Sequence, residues 1–363
     1  MRRREFGGSL AASAMGLAFV AAATPRKNIL MHLGGDYHSV AGPGITSKEN
    51  LEYNLRYGVK HLTAQVHKSA GGGWDLEELK KMHDDCNRHG LVFEAIRMDA
   101  DYIAMRKGAE RDREIDTVLG NIRKASQAGV KVITYHWTVI PIRRNRNSVG
   151  RGNVTYAGYK LENNWKDLAI GKAGDVNHED YWERIGYFLE RVIPVAKQYD
   201  VKMACHPYDP PGLPMGYQGA GNWDSPDVFA AIKKYEAIVP SPYNGFQLCL
   251  GTVAEGLKKP GTEILPIVRY LGERGKIHQI HMRNIHGGLH DFQEVYPDEG
   301  EMDFFQSDAD LARRSILRID LPRSYAEACR RCGKPAIVRF RLRVYPGVNS
   351  SGKFRSALNS ARH

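Results

Sequence analysis

The sequence predicts an α/β fold, a (β/α)8 barrel of the TIM type, and three observations carry that prediction. Strand-like and helix-like segments alternate between Asn28 and Met282 until seven strands are counted, and such alternation builds a parallel sheet. Seven strands favour a closed barrel over an open, doubly wound sheet. His206, Cys249 and His281 then fall at the ends of three successive predicted strands, and in a barrel those ends share one face.

Asn28–Leu33 is a short apolar strand running into Gly34-Gly35, and Ser47–Tyr57 is a helix with Ser47 as its cap. Val59–Val66 is the second strand. Asp75–His89 is an amphipathic helix with Leu76, Leu79 and Met82 at helical spacing, stopped by Gly90. Leu91–Ile96 is the third strand, Glu110–Ala128 a long helix stopped by Gly129, and Val130–Tyr135 the fourth strand. The Gly-, Asn- and Arg-rich section from Pro141 to His178 lacks periodicity, which marks a lid or a disordered segment. Tyr181–Tyr199 is a helix, Val201–His206 the fifth strand, and Pro226–Ile238 a helix with proline in its first turn. Phe246–Cys249, Glu263–Leu271 and Ile277–Met282 complete the alternation as strand, helix and strand.

Val201–Pro211, VKMACHPYDPP, shows how a strand end becomes a site. Its apolar opening suits a buried strand, and Pro207, Pro210 and Pro211 forbid continuation as strand or helix. His206 is therefore left where the chain leaves the sheet, the edge at which ligands of α/β barrels collect.

The chain has 363 residues and a net charge of +11, but the charge lies at its ends. Gln306–His363 carries 13 Lys and Arg against 4 Asp and Glu, and Arg2, Arg3 and Arg4 outnumber Glu5 in the leader. The body is close to neutral, which argues against nucleic acid as a partner. Arg3-Arg4, the apolar run Gly7–Ala22 and the small-residue site at Ala21–Ala23 read as a twin-arginine export signal. The expected location is the periplasm or the extracellular space, with no stable membrane insertion once the signal is removed. Five scattered cysteines, Cys86, Cys205, Cys249, Cys329 and Cys332, do not suggest a disulfide framework. The chain thus divides into a signal, 1–23, a barrel, 24–305, and an atypical basic tail, 306–363.

Imidazole and thiolate together suit Mn, Fe, Co or Zn better than Ca or Mg, so His206, Cys249 and His281 are expected to share one divalent ion. Asp209 is a candidate acceptor orienting His206. Arg283 and Asn284, just beyond His281, are candidates to reach the acidic or hydroxyl groups of a sugar acid.

HPYDPP, NGFQLC, HMRN and the segment Phe292–Asp303 with its GEMD resemble the mannonate dehydratase family, which shares its barrel with xylose isomerase-like enzymes. The resemblance, running from about His32 to Phe305, implies a divalent metal, usually Mn2+ with Fe2+ or Co2+ as alternatives, held by His, Cys, His and an Asp. It implies dehydration of D-mannonate to 2-keto-3-deoxy-D-gluconate, so the expected partner is a small sugar acid. His206, Cys249 and His281 match the first three ligands. LTAQVHKSAGG and TYHWTVIPIRRN match the family only loosely, leaving room for a sugar isomerase or epimerase on the same barrel. The family's closing Pro-Asp-His, source of the fourth ligand and a catalytic His, has no counterpart after Asp303. Gln306–His363 reads instead like the product of a shifted reading frame. From this follow two expectations, a disrupted last βα unit and a catalytically incompetent metal- or carbohydrate-binding relic as the rival function. The sequence leaves the oligomeric state open, a homo-oligomer among the options.

Overall fold

In a computed structural model of the chain, residues 33–37, 40, 42–69, 72–99, 106–138, 144–170, 176–219 and 222–304 are described, with the backbone of 319–320. The export signal, His32, Cys329, Cys332 and the tail other than 319–320 lie outside the described residues.

The parallel strands are β1 (Leu33–Gly35), β2 (His61–Gln65), β3 (Val92–Arg97) and β4 (Val132–His136). The antiparallel strands β5 (Arg146–Val149) and β6 (Thr155–Lys160) follow, then the parallel β7 (Lys202–His206), β8 (Asn244–Cys249) and β9 (Ile277–His281). A hairpin, β10 (Asn284–Gly288) and β11 (Asp291–Val295), precedes the short β12 (Ile319–Asp320). The barrel closes in the order β1-β12-β9-β8-β7-β4-β3-β2. Of the last βα unit, expected to be disrupted, the two-residue β12 pairs in parallel with both β1 and β9, and the rest lies outside the described residues.

The helices are α1 (Lys48–Arg56), α2 (Leu76–Arg88), α3 (Ala109–Gln127), α4 (His178–Gln198), α5 (Val228–Ile238), α6 (Leu250–Glu255) and α7 (Pro260–Glu273). Their starts follow from side chains that accept otherwise orphaned backbone N–H groups. Ser47 caps α1, accepting from Asn50 at 3.3 Å, and Asp75 caps α2, accepting from Glu77 and Glu78 at 2.8 and 3.0 Å. Asp227 caps α5, so Pro226 stands just outside that helix, while Pro260 opens α7. Gly90 and Gly129 leave α2 and α3 at φ of +72° and +79°, a region costly for other residues.

The segment expected to be an irregular lid contains the hairpin β5–β6, which joins β11 and β10 in a second, four-stranded antiparallel sheet. Its strands are short and largely polar, RNSV and TYAGYK, so they carry no apolar period to read. Gly158 is required at its centre: a Cβ there would stand 2.6 Å from the Phe292 carbonyl.

Alternation along the strands separates two environments. Ile96, Ile133, Met203 and Cys205 join the large core, while Ala95, Val132 and Ala204 form a small apolar cluster of their own. Thr63 pairs in register with Ala95, and Gln279 bridges the barrel, donating to Thr63 at 2.8 Å and accepting from Gln247 at 2.7 Å. The barrel interior is thus filled by small and hydrogen-bonded side chains, and it continues upward to the C-terminal ends of the strands. Among the described residues, no helix is long and apolar enough to cross a membrane.

Candidate metal centre

Two residues above the interior layer, on the same face of their strands, stand His206 (above Ala204), Cys249 (above Gln247) and His281 (above Gln279). Cys249 and His281 are register partners, and the two imidazole centroids are 5.5 Å apart. One ligand atom from each residue lies within 4.8 Å of the others. Donors held 2.0–2.3 Å from one ion stand at most about 4.6 Å apart, so the three need shift only by tenths of an ångström to share it.

The protonation states suit a metal as well. His206 Nδ1 is 2.7 Å from the Pro207 carbonyl, which can only accept, so that nitrogen donates and Nε2 keeps its lone pair. Cys249 is wholly buried, which alone would raise its thiol pKa. The charge of Arg283, with the nearby imidazoles of His206 and His281, outweighs burial and holds it well below the usual value. Cys249 also caps α6, with the Thr252 N–H 3.5 Å from Sγ, so the start of a helix faces the sulfur. The donor set therefore fits a divalent ion of the Mn, Fe, Co or Zn group.

Around the triad lies a buried ion cluster that the sequence did not disclose. Arg283 donates to Asp209 at 3.2 Å, Glu294 at 3.1 Å, Thr252 at 2.8 Å and Glu255. Arg144 donates to Asp209 at 2.6 Å, Glu255 at 3.2 Å and Glu294 at 2.7 Å. Asp209 lies three residues beyond His206, Thr252 and Glu255 three and six beyond Cys249, and Arg283 two beyond His281. Every ligand-bearing strand therefore sends its following residues into one cluster, and Glu294 and Arg144 fasten the second sheet to it. Burial pushes the Glu255 carboxyl well up, whereas Glu294 is held down because Arg283 and Arg144 outweigh its burial.

Asp209 meets these arginines, and the Pro207 carbonyl takes the Nδ1 proton of His206 in the place the sequence suggested for Asp209. Arg283 is buried among carboxylates. Asn284 donates to the Pro297 and Met302 carbonyls and accepts from the Ile285 and Met302 N–H groups. Its amide is fully used between the base of the hairpin and the segment that follows β11, so the protein itself takes the polar groups expected to meet a sugar acid. His136, the register partner of His206, was passed over in the sequence, although it ends a strand just as His206 does.

A family model described as D-mannonate dehydratase (UxuA) matches residues 46–148 and 158–339. This chain belongs to that family. The mannonate dehydratase match runs through the closing strand, past Phe305, where the motifs legible in the sequence end. Mannonate dehydratase of Thermotoga neapolitana is 31% identical over 253 residues, covering 59% of this chain and 67% of the relative. Mannonate dehydratase 2 of Halalkalibacterium halodurans is 25% identical over 283 residues, 69% of this chain and 79% of that one. The structure of mannonate dehydratase from Streptococcus suis covers 87% of this chain and 100% of its own, at a TM-score of 0.66 and 20% identity. D-Psicose 3-epimerase from Clostridium cellulolyticum, at a TM-score of 0.53 and 10% identity, shares the fold alone. The family is one of hydro-lyases.

Proposed function

We propose that this chain dehydrates D-mannonate, or a sugar acid of the same class, to the 2-keto-3-deoxy acid, using a divalent metal held by His206, Cys249 and His281. The convergence of these three side chains at the barrel mouth, in a chain of this family, carries the reading. The reaction takes a proton from C2 and hydroxide from C3, and the enol left behind becomes the ketone. A bound divalent ion would supply Lewis acidity and a template for the acid's oxygens. The chain's own residues do the rest. Pro207 fixes the ring of His206, the start of α6 and Arg283 support the Cys249 thiolate, and the ion cluster keeps the three ligand loops in step.

For the fourth ligand, which in this family is an Asp, we assign Asp320, because β12 puts it in register with His281. Manganese is the expected ion, with iron or cobalt as substitutes. Leu321-Pro322 follows Asp320 where the family places a His, and after residue 303 histidine recurs only at His363. Loss of a general acid or base costs on the order of 10²–10⁴-fold in rate, so turnover is expected to be slow. Export through the twin-arginine route belongs to the same proposal, and an intact Met1 in the mature exported protein, seen by mass spectrometry, would refute it.

The test is incubation with D-mannonate and Mn2+, followed by mass analysis of the product. A keto acid lighter by one water, absent after chelation, is the expected result. An isomer of unchanged mass would make the chain an isomerase or epimerase, and binding without any product would make it a relic.

A further inference from the structure

The two arginines beside the metal centre are committed to carboxylates of the protein, which raises the question of what meets the charge of an acid substrate. Arg97 is placed to do so. The register pairs Ala95 with Val132 and with Thr63, the layer that faces the barrel interior. Side chains alternate along a strand, so Arg97, two residues beyond Ala95, projects from the same inner face at the C-terminal end of β3. His136, two steps beyond Thr134 and four beyond Val132, and His206, two beyond Ala204, do the same on β4 and β7. The strands run β3-β4-β7, and Arg97 is level with Thr134 and Ala204, so it is rooted two ladder spacings across and two residues below His206, about 12 Å away. A side chain as long as arginine can close much of that distance.

Its surroundings differ from those of Arg144 and Arg283. The Arg97 guanidinium lies 5.1 Å from the centroid of the Tyr37 ring, a stacking contact that leaves the N–H edge available for a planar, two-pronged acceptor. Among the described residues no carboxylate pairs with it. Asp99, the nearby acid in sequence, accepts from Gln65 at 3.3 Å and lies 3.7 Å from His67. The side chain is half-buried at the C-terminal end of β3, where an ion pair is less screened by water than at the surface.

We propose that Arg97 is a specificity-determining residue that receives the carboxylate of the substrate, selecting hydroxy acids over neutral sugars. This rests on the dehydratase reading and names the residue that recognises the acid. The test compares the full-length, metal-loaded protein with R97M and R97K. D-mannonate is followed by KM and by calorimetric affinity, and the neutral polyol D-mannitol serves as competitor. R97M is expected to weaken D-mannonate about 100-fold in both measures, with metal content and D-mannitol inhibition unchanged, and R97K to recover part of the loss. Affinity for D-mannonate within threefold of the wild type in R97M overturns the proposal. Equal weakening of acid and polyol also overturns it, since that is what a merely structural arginine would give. If R97M does not fold, the comparison is made on R97K, where selective weakening of the acid supports the proposal and none overturns it. A wild-type protein that binds D-mannonate through Arg97 without dehydrating it would sink the functional reading and leave the carboxylate site standing.

Discussion

Arg283 donates to Glu255 at a point where neither side chain meets solvent, with relative exposures of 1% and 0%. The contact joins the loop after His281 to the helix after Cys249, so the distance between two candidate metal ligands depends on it. Removing one partner of a buried ionic cluster typically costs about 3–5 kcal/mol, because it strands the remaining charges. Arg283→Met leaves Asp209, Glu255 and Glu294 facing Arg144 alone. We expect a loss of that size in urea denaturation, with a fall in bound metal. Glu255→Gln, which keeps an oxygen to accept from Arg283 and removes a carboxyl that burial already pushes toward its neutral form, should cost less than half as much. Equal stability of R283M and wild type would show that the cluster does not brace the loops.

Cys249→Ala removes the sulfur donor while leaving both imidazoles in place. Altering even the partners of metal ligands weakens binding by roughly 10–100-fold, so loss of the thiolate itself should weaken it by more than about tenfold. The cobalt-loaded wild type should show a sulfur-to-metal absorption band in the near ultraviolet. C249A should lack the band and carry less metal by elemental analysis. Unchanged metal content would remove Cys249 from the site.

The triad was legible in the sequence because each ligand ends an apolar strand, and the parallel strands announce themselves as such runs. The second sheet was not, since β6 joins it through β11, more than 130 residues away, and the edge strand β5 buries no side chain fully. The ion cluster was hidden for a related reason. Arg144, Asp209, Glu255, Arg283 and Glu294 are ordinary charged residues until the fold brings their loops, helix end and strand together. Arg283 and Asn284 follow the candidate ligand His281, but position along a chain does not reveal whether a polar group is already satisfied.

Asp224 gives the fold a dependence on pH that can be separated from the metal. It is fully buried, accepts from the Tyr208 N–H at 3.1 Å through one oxygen, and has no partner for the other among the described residues. Burial raises its pKa well above the ordinary 3.8. Between these values the folded state holds a proton that the unfolded state has released. Stability is therefore fully present below the ordinary value and falls as pH rises through the folded one, by at most about 1.4 kcal/mol per pH unit. Asp224→Asn, neutral at every pH, should flatten this slope. Urea midpoints of the two proteins at pH 5 and pH 8 provide the check, and parallel changes in both would exclude Asp224 as the source.

The closing strand is the last and most exacting test. Ile319 pairs with Leu33 and Ile280, and Asp320 with Gly34 and His281, so among the described residues these two turn a seven-stranded sheet into a ring. Without them β1 and β9 would present unpaired backbone groups, the arrangement that invites aggregation. A chain ending after residue 304 should melt at a lower temperature than the full chain and aggregate on heating. A chain ending after residue 339, where the family match stops, should keep the stability of the full protein. Asp320→Asn then separates closure from chemistry. The backbone pairing survives the substitution, so melting should change little, whereas metal affinity should fall if the carboxylate completes the set begun by His206, Cys249 and His281. Undiminished metal binding in D320N would leave Asp320 a purely architectural residue, and an unchanged melt after truncation at 304 would deny β12 its part in closing the barrel.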